Sequence, residues 1–360
     1  MNKAPKLGNA SGRNTICLQA VAAILIANSH LEGLYPRSWM AADGFIGNSI
    51  FFLLSGYGIT ISLLGREQTF VQYYVRRILR IYPVVWLVEI IFDFLLQGEW
   101  KSAGWRDYVH LLVYPTAYGY VRQIMVFYAP FYLMKRRLRA GVLFKLMAAL
   151  CLPLFGLYAY DICQNPMDRL QLGAANDWLW WVFFFQMMLL GGYLALRPNP
   201  SASDHRSPTP VMTRPPLSAF LVFAVCFLVY VALKFLMVLG VKVPGFGFTF
   251  ARLYLLLFLL IPPMLYFAFS LGTSESWLNW LKALRPVQWA VALVGGLTLE
   301  IYIVHAFVFR NEHVQKLVFP LNVAVFFLVT IALAWGINLA ARFVRRVLEV
   351  VITQNLKLGK

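Results

Sequence analysis

Residues Tyr74 to Pro83 read YVRRILRIYP and stand between two long apolar runs, SIFFLLSGYGITISLL from Ser49 to Leu64 and VVWLVEIIFDFLL from Val84 to Leu96. Apolar runs of this kind suit helices that cross a hydrocarbon layer about 30 Å thick. Three arginines packed between them, Arg76, Arg77 and Arg80, mark a place where the chain leaves one apolar layer and turns back. The rest of the sequence repeats that alternation.

Of the 360 residues, 60% are hydrophobic, 16% aromatic and 13% charged, and the mean hydropathy is +0.67. Soluble domains carry about 25% charged residues, so this is the composition of a polytopic membrane protein. The net charge of +17 does not indicate nucleic acid, because the basic residues punctuate apolar runs and form no stripe with interleaved aromatics. Cys17, Cys151 and Cys226 fall in apolar runs, only Cys163 lies in a polar connection, and no CxxC is present, so neither a disulfide nor a metal or redox site is expected. Hydrolase, zinc-protease and NTPase readings lack a GxSxG, HExxH or Walker loop.

Windows of about 20 apolar residues predict ten spans: Ile16–Tyr35, Phe45–Leu64, Ile81–Leu96, Tyr118–Met134, Val142–Tyr160, Trp178–Leu196, Leu217–Leu239, Arg252–Leu271, Val287–Phe309 and Val318–Ala341. The first has a basic lead like a signal peptide but no convincing small-residue cleavage site, and it is expected to be retained. With the N-terminus inside, 21 basic residues fall on inner segments and 8 on outer ones. That bias places both termini, and YVRRILRIYP, in the cytoplasm. The expected fold is an all-α polytopic integral membrane helical bundle forming one domain over residues 1–360, with the proline-rich residues 197–216 as a cytoplasmic linker.

On a helix, Arg76, Arg77 and Arg80 fall within an arc of about 100°, so all three could converge on one phosphate-bearing ligand. Pro83 is then expected in the first turn of the third span. The competing reading is a topology anchor at the membrane edge, which needs no ligand.

Ionisable residues at depth are the second signal. His30 follows Ile16 by 14 residues, and Glu300 follows Pro286 by 14. Each would lie about 21 Å along its span, so a base and an orienting carboxylate at matched depth are one reading. An interfacial histidine is the other for His30, and His305 is either interfacial or site-lining. Arg122 in YGYVRQIMVFYAPFY either snorkels or contacts substrate. Glu89 and Asp93 share a helical face, consistent with a wet cavity or a shorter span. Trp178, Trp180 and Trp181 sit where an aromatic belt is expected, and Trp100, Trp105 and Tyr108 are candidates for an outer acceptor surface.

The ordered series His30, then GNSIFFLLSGYGI, then an RxxR formed by Arg77 and Arg80 with a following proline, then TLEIYIVH, resembles the acyltransferase-3 family of bacterial integral membrane acyltransferases. The resemblance spans the whole chain. It implies about ten helices in the bacterial inner membrane and an acyl-coenzyme A donor, most commonly acetyl-coenzyme A, on the cytoplasmic side. It also implies an essential histidine at His30 and essential arginines at Arg77 and Arg80, with Arg76 additional. Many members read GVDLFFVLSGFLI before the second span, and here Ser49 replaces the acid. The late motif commonly resembles SYSLYLWH; Thr298, Tyr302 and His305 match its polar framework, with Glu300 between them.

The expected activity is therefore O-acyl transfer, most simply O-acetylation, to a hydroxyl of an extracytoplasmic saccharide, together with polysaccharide-biosynthesis machinery. No tightly bound cofactor is expected. Coenzyme A is a polyphosphate, so arginines would hold its charged end while His30, partnered by Glu300, takes the acceptor proton. A covalent acyl-histidine is the other route. The rival class is a transporter of a proton-coupled or anionic glycolipid substrate, which more often shows related halves or paired broken helices.

Overall fold

A computed structural model describes residues 14–65, 67–96, 104–112, 118–164, 177–197, 217–241 and 247–356. No strand occurs among the described residues. In chain order the helices are α1 (Ile16–Asn28), α2 (Gly44–Leu64), α3 (Phe70–Val88), α4 (Trp105–Leu112), α5 (Gly119–Leu133), α6 (Ala140–Gln164) and α7 (Asp177–Leu196). They continue with α8 (Leu217–Val241), α9 (Gly247–Gly272), α10 (Glu275–Ala283), α11 (Arg285–Gly296), α12 (Thr298–Phe309), α13 (Glu312–Gln315) and α14 (Leu321–Leu356).

Predicted spans two, five, six and seven coincide with α2, α6, α7 and α8 to within a few residues. Five described stretches, Ser38–Leu64, Ala140–Tyr160, Trp178–Leu196, Leu217–Leu236 and Leu321–Ile352, are long and apolar enough to cross a membrane. The number becomes seven if each of two bent helix pairs is one span: Leu256–Gly272 with Glu275–Ala283, and Arg285–Gly296 with Thr298–Phe309. Three further predicted spans correspond to α1, α5 and α3 with its continuation. The first two have only 13 and 15 residues, and the third carries the arginines. Leu228 and Phe235 on α8, Leu152 on α6 and Leu328 on α14 are exposed, and apolar faces of this extent require lipid.

Three boundaries differ from expectation. The first span ends at Asn28, because the Asn28 amide donates to the carbonyls of Met40 (2.9 Å) and Ala42 (2.5 Å) and accepts from the Tyr35 hydroxyl (2.5 Å). These bonds turn the chain into a loop that carries His30. The ninth span is broken, with α11 and α12 inclined at 80°. At the break the Thr298 hydroxyl donates to the Gly295 carbonyl at 2.6 Å.

The third helix begins at Phe70, earlier than expected, so YVRRILRIYP is helical throughout. Thr69 and Gln72 form a capping box that starts it. Pro83 therefore lies well inside α3 and not in a first turn. Beyond Val88 the chain continues as a π-helical stretch, Glu89–Leu96. Glu89 is buried there, and the side chain of Asp93 lies outside the described residues.

The chain divides into two compact units whose boundaries fall inside α1, α2 and α11. The first comprises residues 1–18, 49–65 and 136–289. Within it α8 packs on α9 and α6 on α7, and Gln186 of α7 donates to the Met147 carbonyl of α6 at 2.7 Å. Gly56 of α2 and Gly191 of α7 allow a backbone approach that admits no Cβ, since a methyl at Gly56 would lie 1.9 Å from the Met188 carbonyl oxygen.

The second unit comprises residues 19–48, 66–135 and 290–360. In it α3 packs against α5, α12 and α14, and α12 against α14. Linker residues 198–216 lie outside the described residues, as does Trp100. Trp105 and Tyr108 are exposed on α4.

Candidate active site

Two groups of side chains gather in the second unit. The first is built on the loop after α1 and on α12. The His30 and His305 ring centroids are 4.8 Å apart at 40°. His30 is exposed, whereas His305 is only 4% exposed. His305 Nδ1 lies 3.2 Å from the Ile301 carbonyl oxygen, one turn earlier. A carbonyl only accepts, so Nδ1 is the donor of this bond, and in the neutral ring Nε2 then carries the lone pair. His305 is thus a buried residue of α12 packed beside His30.

Tyr302 joins the group from the same helix, its ring 6.1 Å from His305 and 5.5 Å from Tyr120. The Tyr120 backbone N–H donates to the Tyr302 hydroxyl oxygen at 3.2 Å. Arg122, half-buried, follows on the first turns of α5. Ser49 is fully buried on α2, in the part of that helix assigned to the first unit.

Glu300 is not the residue that meets His30. It is 5% exposed, and its Oε1 accepts from the Asn338 side-chain amide of α14 at 2.6 Å. The reason is angular. Five residues of helix rotate Glu300 by about 140° from His305, so a helix that turns one toward the His30 loop turns the other toward a different neighbour. Asn338 was not anticipated from the sequence; its signal was a lone amide in the apolar stretch LAWGINLAA.

The second group is the arginine segment. Arg76 and Arg80, one turn apart on α3, line a cleft of about 360 Å³ with Gln72 and, from α14, Arg345 and Glu349. Arg76 Nη1 also donates to Gln68 Oε1 at 3.0 Å. Arg77 does not share this cleft. It is 9% exposed, and its guanidinium carbon lies 5.2 Å from the Tyr73 ring centroid and 5.6 Å from that of Tyr128.

The expected convergence of all three arginines is thus corrected to two. Residues 73 and 77 form one i, i+4 face, which packs on Tyr128 of α5, while residues 76 and 80 form the next, turned toward α14. A buried guanidinium between two aromatic faces is a cation–π arrangement that ties α3 to α5.

The two groups are connected along α12 and α14. Asn322, near the start of α14, donates to the Leu34 carbonyl in the His30 loop at 2.8 Å. The start of α14 therefore lies toward the histidines and its far end toward the arginine cleft, with Glu300 and Asn338 between. By helix rise, Arg345 and His305 are on the order of 18 Å apart along this direction. An exposed imidazole backed by a second one suits proton transfer, and a cleft with three guanidinium groups suits a polyanion. No group of three His, Cys, Asp or Glu side chains placed to hold a metal occurs among the described residues.

A family model described as Acyltransferase domain (Acyl_transf_3) matches residues 16–339. No curated protein and no solved structure gives a significant match.

Proposed function

Because the chain belongs to the Acyl_transf_3 family of acyltransferases, we propose that it is a multi-pass enzyme of the bacterial inner membrane, with ten spans and both termini cytoplasmic. It moves an acyl group, most simply acetyl, from cytoplasmic acyl-coenzyme A to a hydroxyl of an extracytoplasmic saccharide. Membrane acyl transfer is the family's chemistry; the donor, the acceptor and the sidedness are our reading.

The observation that carries this reading is the pair of sites at the two ends of α12 and α14. A cationic cleft lies at one end and an exposed histidine at the other, at a spacing an extended pantetheine arm spans. Arg76 and Arg80 would hold the coenzyme A phosphates by charge-assisted hydrogen bonds. Arg77, packed between Tyr73 and Tyr128, would hold α3 in place behind them.

At the other end His30 takes the proton of the acceptor hydroxyl as its oxygen attacks the thioester carbonyl. The C–O bond forms, the C–S bond breaks, and the departing thiolate collects a proton to leave as coenzyme A. His305, buried against His30, orients that imidazole.

The test is transfer of radiolabelled acetyl from acetyl-coenzyme A to surface glycan in membranes containing wild type, His30→Ala or Arg80→Ala. Label in wild type and its loss in both inserted variants is expected. Equal labelling in all three would refute the reading, and labelled glycan from another acyl donor alone would replace acetyl.

A further inference from the structure

Pro83 leaves a specific gap in the hydrogen bonding of α3. An α-helix pairs each carbonyl with the N–H four residues on, and proline has no N–H, so the Leu79 carbonyl has no partner of that kind in its own helix. Across the interface with α14, Arg345 Nε donates to that carbonyl at 2.9 Å, and Arg345 Nη2 donates to the adjacent Arg80 carbonyl at 3.0 Å. One guanidinium thus spans two successive carbonyls of the turn from which the Arg80 side chain projects. The rigid planar fork of arginine presents two N–H groups at a fixed spacing for this, whereas an ammonium is a point charge on a flexible stem. Arg345 also lines the cleft with Arg76 and Arg80, and Glu349, one turn further along α14, completes the charged wall.

We propose that Arg345 is a positioning residue of the donor cleft: it supplies the donor that Pro83 lacks, clamps the Leu79–Arg80 turn of α3 to α14, and so fixes where Arg80 meets the donor. The role for the donor rests on the reading of this cleft as the coenzyme A phosphate site. The clamp stands on the two Arg345 hydrogen bonds and the missing Pro83 N–H alone. It also explains how Pro83 is accommodated in the middle of α3. The kink-prone position is stitched from outside the helix, and the stitch lands on the residue that lines the cleft.

The test is a double-mutant cycle on the full-length protein in membranes and in detergent, with wild type, Arg345→Met, Pro83→Ala and Pro83→Ala/Arg345→Met. The Pro83→Ala change restores an N–H for the Leu79 carbonyl, so loss of Arg345 should matter less in that background. Amide hydrogen exchange over residues 80–85 is expected to accelerate at least tenfold when Arg345→Met is made in the wild-type chain, and by less than threefold when it is made on top of Pro83→Ala. The apparent KM for acetyl-coenzyme A is expected to follow the same pattern, with kcat at saturating donor held within twofold. Arg345→Lys, which keeps the charge but loses the fork, should recover only part of the KM.

Equal exchange effects of Arg345→Met in both backgrounds would overturn the clamp, even if Arg76→Ala and Arg80→Ala raise the donor KM. Coupled exchange with an unchanged KM in Arg345→Met, while Arg76→Ala and Arg80→Ala raise it, would overturn the positioning role. Coupled exchange with no KM change in any arginine variant would leave the clamp standing and remove the donor reading of the cleft.

Discussion

His30 and His305 face each other at 4.8 Å between ring centroids, one exposed in the loop after α1 and the other buried on α12. The two residues are far apart in sequence, and the fold delivers them as a pair in which the buried ring is fixed by the Ile301 carbonyl. If the exposed ring moves the proton and the buried one orients it, their substitutions should separate. His30→Ala is expected to lower kcat by about 10²- to 10⁴-fold, the usual contribution of a general base. His305→Phe keeps a packed ring without the nitrogens and should lower kcat by roughly tenfold with the donor KM unchanged. Initial rates at saturating donor measure both, and an unaltered rate in His305→Phe would reduce that ring to packing.

The arginines should divide along the two faces of α3. With the cleft as the donor phosphate site, as proposed, Arg76→Ala and Arg80→Ala would each lose charge-assisted hydrogen bonds worth about 1.5–3 kcal/mol, so the donor KM should rise by roughly ten- to a hundredfold. Added salt should raise the wild-type KM in the same direction. Arg77→Met removes the cation–π contacts with Tyr73 and Tyr128, worth about 2 kcal/mol when desolvated, and should lower the unfolding temperature in detergent. Tyr128→Phe retains the ring and should keep most of that stability. A normal unfolding temperature in Arg77→Met with a raised donor KM would place Arg77 on the ligand instead.

Glu300 and Asn338 form a buried polar pair, so the two partners should tolerate different changes. Asn338→Leu strands the Glu300 carboxyl and should destabilise the protein by about 1–3 kcal/mol. Glu300→Gln preserves a side-chain oxygen for the Asn338 amide and should cost less. Thermal unfolding of the two variants in detergent checks the order, and a greater loss in Glu300→Gln would contradict it.

In the first unit, Gly56→Ala and Gly191→Ala should each destabilise by about 1–3 kcal/mol through overpacking. A methyl at Gly191 would come within 1.8 Å of the Leu53 carbonyl oxygen, so backbone has to move. By contrast Gly58, with nothing near its Cβ direction, should accept alanine without loss of unfolding temperature.

These sites show which parts of the molecule are legible in the sequence. Long apolar runs broken by no more than two charges, as in α2, α6, α7 and α8, announce themselves by length alone. The short α1 does not, because the residues that end it act through the Asn28 side chain on a loop a dozen residues ahead. The arginine segment is legible as a cluster, but its division depends on which neighbours cover each face of α3, and Tyr128 and Arg345 lie far along the chain. His305 is legible as a polar residue in an apolar span, whereas its pairing with His30 and the pairing of Glu300 with Asn338 follow from tertiary angles that no spacing encodes. The clamp on Pro83 had a signal that could have been followed: a proline inside a helix asks which donor serves the carbonyl four residues back.

In the proposed mechanism an acyl group passes from a cytoplasmic donor to an acceptor on the other face, with His30 handling the acceptor proton. The most direct measurement uses sealed inside-out membrane vesicles, with their cytoplasmic face outward and acceptor glycan enclosed. Radiolabelled acetyl-coenzyme A is supplied only to the outside. Wild type should place label on the enclosed glycan, and properly inserted His30→Ala should leave it at background. Equal labelling in His30→Ala, or labelling only when the donor is sealed inside with the glycan, would contradict the account.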